Sequence, residues 1–107
     1  MKQPVTVFIE YKINKDIIKL YEKNMKVVIR ELQNLGATHL SWLKAADQEN
    51  LYVESFTVHS ISLYQSIKEK RTNPSHPIFG MLEECIEGGL KKLHCWAFEP
   101  LNVEEIH

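Results

Sequence analysis

Cysteine is scarce in this chain: among its 107 residues only Cys85 and Cys95 occur, and they do not form a C-x-x-C pair. A disulfide framework is therefore not expected, and neither is a metal site built on paired thiolates. Glycine is scarce too, and Gly80, Gly88 and Gly89 do not make a phosphate-cradling loop. An excess of charge is missing: the formal net charge of −1 offers no general attraction to nucleic acid or to an anionic membrane. The one basic cluster, Lys68, Lys70 and Arg71, is interrupted by Glu69 and reads as a solvated helix face. No apolar run approaches the roughly 20 residues of a membrane span, and Glu10 and Lys12 come too early for a secretory signal. His-x-x-x-His is absent, and His94 and Cys95, adjacent in a strand, point to opposite faces, so no metal site is expected. These absences predict a cytoplasmic protein with no nucleic-acid or membrane partner.

What is present is alternation. Val5 to Tyr11, Leu51 to Val58 and Leu93 to Phe98 alternate aliphatic or small residues with a second set: Phe8, Glu10, Tyr52, Glu54, Phe56, His94, Trp96 and Phe98. A first strand is predicted from about Pro4 to Lys12. Asn14 is placed to cap a helix over about Lys15 to Leu35, with Ile17, Tyr21, Val28, Leu32 and Leu35 on one stripe and Gly36 as its stop. A second strand, Thr38 to Lys44, and a third from Leu51 read as a hairpin across a polar turn. Ser60 or Ser62 caps a shorter helix towards Lys70, and Arg71 to His76 is a loop marked by Asn73-Pro74. Pro77 suits the first turn of a further helix bearing Ile78, Met81, Leu82, Cys85 and Ile86. Gly88-Gly89 stops it, and a last strand runs from Leu90 to Phe98. One domain over residues 1–101 and a C-terminal tail over 102–107 are expected.

The order β-α-β-β-α-β, with right-handed crossovers, gives an α+β ferredoxin-like fold: a four-stranded antiparallel sheet with helices on one face and the first and third strands central. A sheet apolar on both faces must be covered twice, and too few residues remain for a second layer of helices. Pairing with a second copy, a homodimer, is the expected solution. The dimer face is expected to carry Glu10, Glu54, His94 and Trp96. The two carboxylates either split their pKa values as an acid and a base or sit as ion pairs in a partly hydrated barrel. Trp42 and Trp96 are expected as interface anchors. The helix-covered face is expected to present Val5, Val7, Ile9 and Tyr11 with His39, Ser41, Leu43, Val53, Ser55, Thr57, Cys95 and Ala97. Its small residues leave room for a ligand or for bulky helix side chains.

Within this pattern the stretches Val53-Glu54-Ser55-Phe56, Ser62-Leu63-Tyr64 and Ser75-His76-Pro77-Ile78-Phe79 follow one another. With them the chain resembles the dimeric α+β barrel superfamily, and within it the antibiotic-biosynthesis monooxygenase-like proteins, over about residues 3 to 101. The resemblance implies two sheets face to face and a pocket between sheet and helices. It further implies oxygenation of a small hydrophobic or aromatic molecule, phenol- or quinol-like, without a cofactor. His76 would then deprotonate or orient the substrate, His39, Ser41 and Ser55 would contact it, and Phe79 would pack on its ring. Two alternatives use the same positions: a non-catalytic ligand-binding or regulatory module, and a haem-binding or haem-degrading protein with His76 as ligand.

Overall fold

The computed structural model describes residues 3–103, so the tail expected over 102–107 lies mostly outside the described residues. Four strands, β1 (Val5–Lys12), β2 (Thr38–Lys44), β3 (Leu51–Val58) and β4 (His94–Phe98), form one antiparallel sheet in the order β2-β3-β1-β4. Two helices, α1 (Ile18–Asn34) and α2 (Ile61–Arg71), connect them. This is the ferredoxin-like α+β arrangement, with β1 and β3 central. Among the described residues no helix is long and apolar enough to cross a membrane.

Local chemistry explains most element ends. The α1 helix buries Tyr21, Met25, Val28 and Leu32, a single stripe at helical spacing. It ends where Gly36 adopts φ +110°, the Gly36 N–H donating to the Gln33 carbonyl and the Ala37 N–H to the Leu32 carbonyl. That double bond pattern is the Schellman stop, and it needs a residue at ease in the left-handed region. Ser60 starts α2, its Oγ accepting from the Leu63 N–H at 3.2 Å. Asn14 does not cap α1. Its side chain donates to the Glu84 carbonyl at 3.1 Å, and the chain enters α1 through a 3-10 turn at Lys15–Ile17.

Three expectations are corrected. The segment after Pro77 is not an α-helix but a 3-10 turn, Phe79–Leu82, followed by further turns. Its apolar residues Phe79, Leu82, Cys85 and Ile86 are buried as their spacing requires. The backbone, however, is drawn to the end of β1: the Asn14 N–H donates to the Cys85 carbonyl, the Glu87 N–H to the Lys12 carbonyl, and Ile13 bridges Ile86. Residues Leu90–Lys92 likewise form a 3-10 turn rather than the start of β4.

The second correction is the phase of β3. Ile9 pairs with Glu54 and Val7 with Phe56, so Tyr52, Glu54, Phe56 and Val58 share the helix-covered face and are buried. Leu51, Val53, Ser55 and Thr57 therefore lie on the open face, and Ser41, paired with Ser55, lies there too. Glu10 and Glu54 occupy neighbouring strands on opposite sides of the sheet. Alternation sets the period of a strand but not its phase relative to its neighbour, and one residue of slip exchanges its faces.

The third is Arg71. It is not solvated but fully buried, because it continues the α2 stripe of Tyr64 and Ile67.

One close approach is directly testable. A Cβ at Gly80 would stand 2.3 Å from the Pro74 carbonyl oxygen, a backbone atom with little freedom to yield. The Gly80→Ala variant is expected to lose about 1–3 kcal/mol of stability, read as a lowered urea midpoint with unchanged slope.

Candidate functional site

The helix side of the sheet holds a buried polar cluster where a ligand cavity was expected. The Arg71 guanidinium is paired with the Glu54 carboxylate: Nε donates to Oε1 at 3.3 Å and Nη2 to Oε2, and both side chains are fully buried. The Tyr11 hydroxyl donates to Glu54 Oε2 at 2.5 Å and lies 2.8 Å from the Tyr21 hydroxyl. Trp42 Nε1 donates to Tyr21 at 2.7 Å. Arg71 lies near the Tyr11 and Phe79 rings, 5.7 and 5.5 Å from their centroids. Its Nη1 has no acceptor among the described residues. Burial alone would lower the Arg71 pKa, but the Glu54 carboxylate reverses this and holds it above its usual value. Burial first, and then the Glu54 charge, push the Tyr11 phenol well above its usual range.

The bulk of Tyr11, Tyr21, Tyr52, Phe56, Phe79 and Arg71 occupies the space that small residues were expected to leave. Ser41 and Ser55 are not part of that layer. His39, at φ 51° beside the irregularity between Thr38 and Ser41, is exposed on the edge strand. Trp42, expected as an interface anchor, instead hydrogen-bonds into the helix side.

His76 is held by its own loop. Its Nδ1 accepts from the Ile78 and Phe79 N–H groups, each at 3.1 Å, and its ring stacks on Phe79 at 4.6 Å. With Nδ1 an acceptor, the neutral ring carries its proton on Nε2, so it presents a donor and not a base. Phe79 is fully buried beneath it. None of the clefts described below is lined by His76, and a neutral ring whose Nδ1 accepts two backbone N–H bonds carries its proton on Nε2 and has no lone pair there for haem iron. The residues present do not fit haem there. Among the described residues no three His, Cys, Asp or Glu side chains gather as a metal would require.

The open face is different. β1 contributes Thr6, Phe8 and Glu10, and β4 contributes Phe98, Trp96 and His94 opposite them. Trp96, Phe98 and Leu43 are 45%, 51% and 53% exposed, although side chains of this kind normally lie inside. The Phe8 and Phe98 rings meet edge to face at 5.6 Å, and His94 stacks on Trp96 at 5.7 Å. Phe8, Glu10, Val53, Trp96 and Phe98 line a groove of about 280 Å³. At Glu10 it adjoins a more polar cleft of about 390 Å³ that includes Lys12, Leu51, Glu87, Lys92 and His94. A hollow of about 590 Å³ beside the 45–50 turn includes the exposed Lys15–Glu49 ion pair in its lining. Of the expected site residues, Glu10, Ser41, Ser55, His94 and Trp96 thus share the open face. Glu54, His76 and Phe79 lie on the helix side.

The arrangement of sheet and helices recurs in solved structures. A candidate antibiotic biosynthesis monooxygenase from Nitrosomonas europaea superposes with a TM-score of 0.73 at 8% identity, covering 96% of this chain and 95% of that one. What the two share is the ferredoxin-like α+β fold. A NIPSNAP family protein from Agrobacterium tumefaciens shares it, with a TM-score of 0.70, 10% identity and coverage of 96% and 90%. So does a Bacteroides thetaiotaomicron protein of unknown function, named as a possible oxidoreductase, with a TM-score of 0.64, 11% identity and coverage of 94% and 100%. No protein-family model and no curated protein sequence matches the chain. At these identities the likeness carries the fold and not the chemistry.

Proposed function

We propose that this protein is a homodimeric, monooxygenase-like protein that takes a small phenol- or quinol-like molecule in the aromatic groove of its open sheet face. The observation that supports this reading is the position of Glu10. It stands where an aromatic groove meets a polar cleft, directly across the β1–β4 ladder from His94. Apolar walls with a few convergent polar groups are what small-molecule sites are made of. Phe8, Trp96 and Phe98 offer ring faces and edges to an aromatic substrate, and Ser55, paired with Phe8, offers a hydroxyl nearby. A second copy laid on this face would cover the exposed aromatics and exclude water from the groove.

In the catalytic form of the reading, Glu10 or His94 takes a proton from the bound phenol or quinol. The electron-rich anion then reduces dioxygen: one oxygen atom becomes a ring carbonyl in place of two hydrogens, and the other leaves as water. The reaction class follows the resemblance and the names of the structural neighbours. The choice of the open face is supported by Ser41 and Ser55, which lie there and face away from His76.

A thermal-shift screen of small phenols and quinols, followed by oxygen-uptake measurements on the hits, tests the proposal. Binding is expected to be weakened by Trp96→Ala, and uptake to fall by roughly 10²-fold or more in the Glu10→Gln, His94→Gln double variant. Binding without uptake would make the groove that of a ligand-binding module. Stabilisation by these compounds that survives Trp96→Ala unchanged would remove the groove from consideration.

A further inference from the structure

On the other side of the sheet, a chain of oxidisable side chains runs from the surface to a buried base. Trp42 is 37% exposed, whereas Tyr21 and Tyr11 are essentially fully buried. The Trp42 and Tyr21 rings lie 5.8 Å apart, as do those of Tyr21 and Tyr11. The hydrogen bonds have one direction. Trp42 Nε1–H can only donate, and it donates to the Tyr21 oxygen. The Tyr11 proton is committed to Glu54, so the Tyr21 proton points to the Tyr11 oxygen. The sequence runs indole to phenol to phenol to carboxylate without a gap.

Packing alone does not call for this arrangement. Phenylalanines at 11 and 21 with apolar residues at both 54 and 71 would fill similar volume without a buried ion pair, a substitution that is often neutral or stabilising. Indole and phenol are also the side-chain rings most readily oxidised by one electron. A phenol that loses an electron becomes a far stronger acid than any carboxylic acid, so it must shed its proton to a base already in contact.

We propose that Trp42, Tyr21 and Tyr11 form a one-electron relay, with Glu54 as the base that receives the Tyr11 proton. A diffusible one-electron oxidant of the peroxyl or phenoxyl radical class takes an electron from Trp42. The indole is re-reduced by Tyr11 through the Tyr21 ring. Tyr11 becomes a neutral phenoxyl radical, its O–H proton passes to Glu54 Oε2, and the oxidant leaves one electron richer. Return of an electron to Tyr11 brings the proton back from Glu54. Arg71 is ion-paired with Glu54, and Glu54 Oε2 already accepts the Tyr11 hydrogen bond before the oxidant arrives. This relay is independent of the open-face groove, and the raised pKa values of Tyr11 and Tyr21 agree with it, since neither phenol is ionised near neutral pH.

Flash photolysis with a ruthenium polypyridyl complex and an electron acceptor supplies the oxidant as a probe. Transient absorption and electron paramagnetic resonance then read the radical. The wild type is expected to give a phenoxyl signal that rises more slowly in deuterium oxide. The Tyr11→Phe variant, which keeps the ring, is expected to lose most of that signal, whereas Tyr64→Phe keeps it. In Trp42→Phe, a change at a partly exposed position compatible with folding, the rise is expected to slow roughly tenfold or more, a barrier increase of at least about 1.4 kcal/mol. A full phenoxyl signal in Tyr11→Phe, or an unchanged rise in Trp42→Phe, overturns the relay. An unchanged rise in deuterium oxide overturns the role of Glu54.

Discussion

The Arg71→Met variant is expected to lose about 3–5 kcal/mol of folding stability, lowering the thermal midpoint by some tens of degrees. The methionine fills much of the arginine's volume, so the loss is not a packing loss. It comes from Glu54, left as a fully buried carboxylate with only the Tyr11 hydroxyl, among the described residues, to bond it. The paired change, Glu54→Leu with Arg71→Met, removes both charges at once. It is expected to recover most of the stability, because the desolvation of two ions disappears with their attraction. Calorimetry of the two single variants and the double variant measures the coupling. A double variant no more stable than the Arg71→Met single would show that the cluster is held by shape and not by charge.

Trp96→Glu is expected to weaken self-association by about 2–4 kcal/mol, roughly 30- to 1,000-fold in Kd. In the proposed dimer Trp96 lies within the apolar patch formed with Phe8 and Phe98, and a carboxylate there would be desolvated without a partner. Val27→Glu provides the control. Val27 is as exposed as many interface residues, but it lies on the helix layer, and its change is expected to leave association untouched. Sedimentation velocity over a concentration series distinguishes the two. A wild-type protein that stays monomeric throughout that series would sink the dimer itself.

Much of the architecture could be read from local chemistry. Gly36 stops α1, Ser60 starts α2 and the polar turn joins β2 to β3, because each depends on only a few neighbouring residues. The phase of β3 could not be read in the same way. Leu51 and Val53 on one side and Tyr52 and Phe56 on the other are both apolar sets, so alternation leaves two registers open until pairing with β1 decides between them. That ambiguity moved Glu54 from one face to the other, and Ser41 and Ser55 with it. Arg71 departs from its expected place for a different reason. Arginine is seldom buried, and the lysines around it suggested solvent. The available signal was its spacing from Tyr64 and Ile67, which puts it on the buried stripe, with Glu54 as the only carboxylate on the facing strand. In the case of His76 the residue stood out but its tautomer did not, since that is set by two backbone N–H groups of the following turn.

The central place of β1 bears on how the chain is synthesised. Its ladder partners are far away in sequence: Val5 meets Val58, and Thr6 meets Phe98. At a translation rate of about 5–20 residues per second, β4 follows β1 by several seconds. Once β3 has docked, the other edge of β1 still offers unpaired amides beside the half-buried Phe8 until β4 emerges. That edge is a template for any other extended chain nearby. Nascent copies on neighbouring ribosomes are therefore each other's principal hazard during those seconds, and strand exchange between them is the misassembly this topology favours.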